Sequence, residues 1–313
     1  VVDADGKPFR TGSAFLKPLP VYNRLRSLQL IHPETDTLPS NELPSIELRL
    51  LVTFWLLLAL LIGGTSAWWT VWLRFLQRGL DVNPYRQLRT AWIHPSEKLA
   101  CGLAVLWTAL HLWARFIPGT DMRPAEPTLF GLVQVIVLSG GTTLFLISLL
   151  LSRGWQFAAD VGLKWSPLGE HVRDGWFGFK LAILPMACTT ILTTPLRNHE
   201  TQNVLLRLLS ESLGLDVLAA ILFLAIVVAP LSEELIFRVL LQGALGSVMP
   251  ARVAIPFVAI VFAAVHGPVD GIALLPLALI LGYSFDRRQS YLTVVVIHGL
   301  FNATMLALAM LSH

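Results

Sequence analysis

The sequence predicts an all-α fold, a polytopic membrane protein with about eight transmembrane helices. Three observations lead there. Of the 313 residues, 55% are hydrophobic and only 14% are charged, against about 25% charged in a soluble domain. The apolar residues gather into long runs. Residues 50–73 carry no charge and are bounded by Arg49 and Arg74, and about 20 apolar residues cross the hydrocarbon core as a helix. One later run, A-P-L-S-E-E-L-I-F-R, places Glu233, Glu234 and Arg238 in otherwise apolar surroundings. Ionisable residues at bilayer depth are costly and mark a functional site by default.

Residues 1–48 are mixed in character and contain Pro8, Pro18, Pro20, Pro33, Pro39 and Pro44, so they read as a loosely ordered extramembrane segment. The first span is residues 50–73, with Trp68, Trp69 and Trp72 near its end as interface anchors. A basic loop follows, then a second span over 99–116 holding His111 and a third over 128–151. Residues 153–174 combine Leu, Trp and charges and suit the membrane surface. The fourth span is 176–196, with Lys180 near its start able to snorkel. The fifth, 213–245, contains Pro230, where a lost backbone donor predicts a kink just before the glutamates. Spans six to eight are 253–266, 272–283 and 291–310. The chain thus divides into residues 1–48, three further helices in 49–152, and a membrane domain in 153–313.

Eight spans place both termini on one side. The odd-numbered connections hold or adjoin Arg74, Arg78, Arg86, Arg89, Lys98, Arg153, Lys164, Arg173, Lys180, Arg252, Arg287 and Arg288, and the even-numbered ones Arg115, Arg123, Arg197 and Arg207. The positive-inside rule puts the odd connections in the cytoplasm and both termini outside. A net charge of +3, with its basic residues mostly in short loops, argues for topology and against a nucleic-acid partner. Cys101 and Cys188 make no metal motif, and no disulfide between them is implied.

Three late spans carry polar groups at helical spacing. Glu234 and Arg238 lie at i and i+4 with the acid first, the favourable order for an ion pair. Glu233 is about 100° away round the helix and is the freer carboxylate, suited to taking a proton from water. Phe262 and His266 form F-x-x-x-H. Here Phe262 reads as packing, and His266 as a residue that orients water or binds metal. His298 and Asn302 form H-x-x-x-N on one helix face, two donors of the kind an oxyanion needs. Glu233, His266 and His298 also make a zinc-type ligand set. Spacing alone leaves open whether zinc or no metal is used.

E-E-x-x-x-R, F-x-x-x-H and H-x-x-x-N in this order, with F-D-R-R-Q-S before the last span, resemble the CPBP family of intramembrane proteases. That family comprises CAAX proteases and bacteriocin-processing enzymes, is also called Abi, and includes the Ras-converting CAAX endopeptidase. The resemblance covers residues 217–309 and reaches loosely back to Gly162 and Leu163. It implies eight helices around a polar, water-filled cavity open to the cytoplasmic side. By the same resemblance, Glu233 and His266 activate the attacking water. His298 and Asn302 form the oxyanion hole, and Glu234 and Arg238 support the site. The expected partners are a peptide or protein substrate in or at the membrane and the lipid bilayer itself. The expected location is a bacterial plasma membrane.

Two other functions fit the residues less well. A non-proteolytic scaffold would tolerate Glu233→Gln. A proton-coupled transporter can use a carboxylate and histidines as a relay, but no inverted repeat is visible in the sequence.

Overall fold

The computed structural model describes residues 43–78, 92, 94–116, 128–164, 167–196 and 214–312. The expected extramembrane segment up to residue 42 lies outside them, as do Arg86, Arg89, Arg123, Arg197 and Arg207. The chain divides into two compact units, Val1–Val52 and Thr53–His313. Of the first, only the start of one helix is described.

All regular structure among the described residues is helical. In chain order the helices are α1 (Leu43–Arg78), α2 (Pro95–Phe116), α3 (Leu129–Leu151), the short α4 (Trp155–Asp160), α5 (Leu168–Thr193), α6 (Leu215–Gly246), α7 (Ala251–Val265), α8 (Pro268–Arg288) and α9 (Tyr291–Ser312). Six of them, α1, α3, α5, α6, α8 and α9, are long and apolar enough to cross a membrane. The other two expected spans fall short for different reasons. Helix α7 has 15 residues, about 22 Å at 1.5 Å per residue, against a core of about 30 Å. Helix α2 is long enough but carries Glu97, Lys98, His111 and Arg115.

Two boundaries move. Helix α5 begins at Leu168, so residues 168–174, expected on the membrane surface, are its first turns. Their polar groups have partners that the local sequence does not reveal. His171 Nδ1 lies 2.8 Å from Ser290 Oγ, and Asp174 pairs with Arg288 at 3.1 Å. Lys180 therefore sits well inside the helix, half-buried, with its stem beside Gly63 and its ammonium 6.0 Å from the Phe177 ring centre.

The break expected at Pro230 takes another form. Helix α6 runs on from Leu215 to Gly246 but widens into π-helical turns at Leu224–Val228 and Leu235–Gln242. Ala229 N–H accordingly bonds back to Leu224 O, five residues earlier. A π turn absorbs the register change that a proline imposes, and such turns are frequent at functional sites.

The second half of α6 is the axis of the core. Leu235, Ile236, Phe237, Val239 and Leu240 are all buried, packed with Val258 and Phe262 of α7, Leu277 and Leu281 of α8, and Ile297 of α9. Small residues allow the close approaches. A Cβ on Gly175 of α5 would come 2.5 Å from Val296 of α9, and one on Gly178 would strike Ile297. Between α7 and α8 the chain reverses at Gly267, whose φ of +92° favours glycine. Gly271 then lies directly against the Ala263 carbonyl. Side chain to backbone bonds tie the layers, as in Gln242 Nε2 to Gly282 O at 2.9 Å and Tyr291 Oη to Leu231 O at 2.6 Å. Helix α1 is held by Trp68 Nε1 donating to Leu181 O of α5 at 3.0 Å.

Candidate active site

The motif residues meet at one cavity of about 170 Å³, room for several waters. Glu233 of α6, His266 at the end of α7, and His298 and Asn302 of α9 all line it. Apolar lining comes from Met186 of α5, Ala273 and Leu274 of α8, and Phe301, Met305 and Leu306 of α9.

Glu233 and Glu234 are neighbours with opposite surroundings. Glu234 is fully buried. Its Oε2 accepts from Arg238 Nε at 3.0 Å, and its Oε1 lies 2.8 Å from His298 Nδ1. The expected Glu234–Arg238 pair is present, and His298, 64 positions away, is its third member. Arg238 is also fully buried, and its guanidinium carbon lies 5.2 Å from the Phe262 ring centre. Such a cation–π contact compensates part of the desolvation of a buried cation. Phe262 does more than fill space, since its ring also meets those of His266 at 4.7 Å and His298 at 5.9 Å.

Glu233 instead faces the cavity. Its Oε2 has no hydrogen-bond partner among the described residues and lies 3.6 Å from His266 Nε2. His266 Nδ1 is 2.8 Å from Phe262 O, a carbonyl that can only accept, so Nδ1 carries a proton. When the ring carries that proton alone, Nε2 is an acceptor. Two acceptors at 3.6 Å are beyond direct hydrogen bonding but close enough for one water to donate a proton to each.

On α9, His298 Nδ1 is committed to Glu234, so Nε2 donates only when the ring carries both protons. Asn302 does a second task. Its Nδ2 donates to Ala225 O at 2.8 Å. Ala229 N–H is directed to Leu224 O and Pro230 has no N–H, so Ala225 O lacks its usual donors within the helix. Ile226 O loses its i+4 donor for the same reason. It faces Gly299, where a Cβ would stand 2.8 Å from it. Helix α9 therefore donates to the Ala225 carbonyl, which the π turn and Pro230 deprive of its helical donors, and packs Gly299 against the Ile226 carbonyl.

Several polar residues were not singled out from sequence. Asp270 and Thr190 line the cavity; Asp270 follows His266 by four positions, but the Gly267-Pro268 turn interrupts that spacing. His171 is buried with Ser290 and Thr293, and Glu97 is buried against Arg153 at 3.0 Å. No local pattern marks these pairings, because the partners come from distant helices.

Zinc finds no assembled ligand set here. Among the described residues no group of three His, Cys, Asp or Glu is placed to hold a metal. Of the expected ligands, His298 engages Glu234 and His266 a backbone carbonyl through Nδ1, which leaves Nε2 as the nitrogen each could offer to a metal.

The cavity lies toward one end of the helices. Its walls are the last third of α5 (Met186, Thr190), the middle of α6 (Ala225, Ala229, Glu233), the α7–α8 turn with the start of α8, and the middle and second half of α9. These ends carry the even-numbered connections. Termini outside and a cavity open to the cytoplasm are therefore incompatible expectations.

A family profile described as type II CAAX prenyl endopeptidase Rce1-like matches residues 216–304. The match takes in nearly all of α6, then α7, α8 and α9 as far as Thr304, and hence every motif residue at the cavity. No curated protein and no solved structure matches the chain.

Proposed function

We propose that this protein is an intramembrane endopeptidase in which Glu233 and His266 activate a water molecule. The observation that carries this reading is the 3.6 Å separation of Glu233 Oε2 and His266 Nε2 at a cavity wall, with no other partner for that oxygen among the described residues. The water held between them attacks the carbonyl carbon of a peptide bond. Its oxygen forms the new C–O bond while Glu233 takes the proton. His298 Nε2, with the ring protonated on both nitrogens beside Glu234, and the second amide hydrogen of Asn302 stabilise the oxyanion, each such donor being worth about 3 kcal/mol. The C–N bond then breaks, and the proton held by Glu233 passes to the leaving amine. Glu234 acts through His298, fixing its ring as a carboxylate fixes a catalytic imidazole.

In this reading α2 and α7 also cross the membrane, giving eight spans. Residues 153–313 form the protease domain, and the three helices of 49–152 are additional to it. The substrate is a peptide or protein in or at the bilayer. The family profile supports the reading at the level of the protease class. The test compares peptide products from membranes bearing the wild type and Glu233→Ala, with and without a chelator. Products are expected only from the wild type. Equal products from Glu233→Ala would falsify the assignment.

A further inference from the structure

The side of the membrane to which the cavity opens decides what can reach Glu233. Access from the end carrying the connection after α6 is closed by the buried run Leu235–Leu240, with Phe262, Leu277, Leu281 and Ile297 around it. The half-buried cavity residues Thr190, Asp270 and Met305 lie toward the opposite end, where α5 finishes, α8 begins and α9 approaches its C-terminus.

The basic residues are distributed against that end. For α5–α9 alone, the closed end has Arg153, Lys164 and Arg173 before or at the start of α5, Arg252 after α6, and Arg287 and Arg288 between α8 and α9. The cavity end has Arg197 and Arg207 between α5 and α6. This comparison omits Lys180, which lies within α5, and does not depend on whether α2 crosses. With α2 crossing as proposed above, the connection between α1 and α2 adds Arg74, Arg78, Arg86, Arg89 and Lys98 to the closed end, against Arg115 and Arg123 between α2 and α3. The N-terminal approach to α1 adds Arg49 alone over residues 30–49. Lys and Arg near span ends are retained in the cytoplasm.

We propose that the cavity opens on the extracytoplasmic face, and that its substrate is a peptide segment exposed on that side of the membrane rather than a chain end held in the cytoplasm. The orientation rests on charge and packing; the peptide substrate rests on the proposed protease function. Cavity polarity fits either aqueous side, so the charge asymmetry decides.

The experiment uses the full chain with Cys101→Ala and Cys188→Ala, carrying Asp270→Cys at the cavity or Arg173→Cys at the closed end. Thr190→Cys replaces Asp270→Cys if that variant fails to accumulate. A membrane-impermeant maleimide applied to intact spheroplasts is expected to modify the cavity cysteine and not the one at 173. The pattern should reverse in inside-out vesicles. Modification at 173 from outside, alone or together with the cavity cysteine, overturns the proposal. In parallel, impermeant internally quenched peptides are offered to right-side-out and inside-out vesicles, with Glu233→Ala as background. Cleavage confined to right-side-out vesicles supports the substrate side, and cleavage confined to inside-out vesicles overturns it. Absence of cleavage in both overturns the substrate proposal and counts against the protease reading, while the maleimide pattern still decides orientation.

Discussion

The two faces of α6 treat adjacent carboxylates in opposite ways. Toward the core, Glu234 is sealed among Arg238, His298 and Phe262 with every oxygen occupied. Toward the cavity, Glu233 keeps an oxygen without a hydrogen-bond partner among the described residues. The first arrangement is worth most to the fold, since a carboxylate and a guanidinium are tolerable in the interior only when paired. The second is worth most to chemistry, since a saturated carboxylate has nothing left with which to take a proton. One step along a helix, about 100°, separates the two.

Glu234→Ala should test the contrast most severely. It leaves Arg238 buried without its carboxylate, and breaking a buried pair costs about 3–5 kcal/mol. A large fall in melting temperature of the purified protein is expected, with loss of cleavage. An unchanged melting temperature would dissolve the distinction between the two faces. Next comes Glu233→Gln, which keeps the shape and removes the proposed base. Cleavage should fall about 10²–10⁴-fold, the usual worth of general base catalysis, while the melting temperature stays close to wild type.

A smaller effect is expected at Gly271→Ala, whose methyl would press on the Ala263 carbonyl. Overpacking of this kind costs about 1–3 kcal/mol, and because the α7–α8 turn carries His266, cleavage should drop with it. The smallest concerns Asn302→Leu. Losing its bond to Ala225 O should cost about 1–2 kcal/mol, seen as faster amide exchange over residues 224–233. In a Pro230→Ala background the restored N–H should shrink that cost, and an undiminished cost there would remove the backbone role of Asn302.

Much of this protein was legible without its fold. The uncharged run 50–73 reappears within the span Leu48–Arg74, because length and apolarity are local properties. The i,i+4 spacing of Glu234 and Arg238 predicted their pair for the same reason. Less legible was the start of α5, because the polar residues of 168–174 looked like a surface segment until Ser290 and Arg288 were seen to satisfy them. The helix count is also blurred, since α7 is too short and α2 too polar to stand out from an apolar background.

By itself, then, the sequence determined the class, the apolar helices and the residue types of the site, all of which follow from composition and from the 3.6-residue period. Only the tertiary structure decided that Glu234 and not Glu233 holds His298, that Asn302 completes the backbone of α6, and that the cavity lies at the end of the even connections. Those outcomes depend on contacts between residues tens of positions apart, and nothing in a local spacing specifies which distant helix will supply a partner.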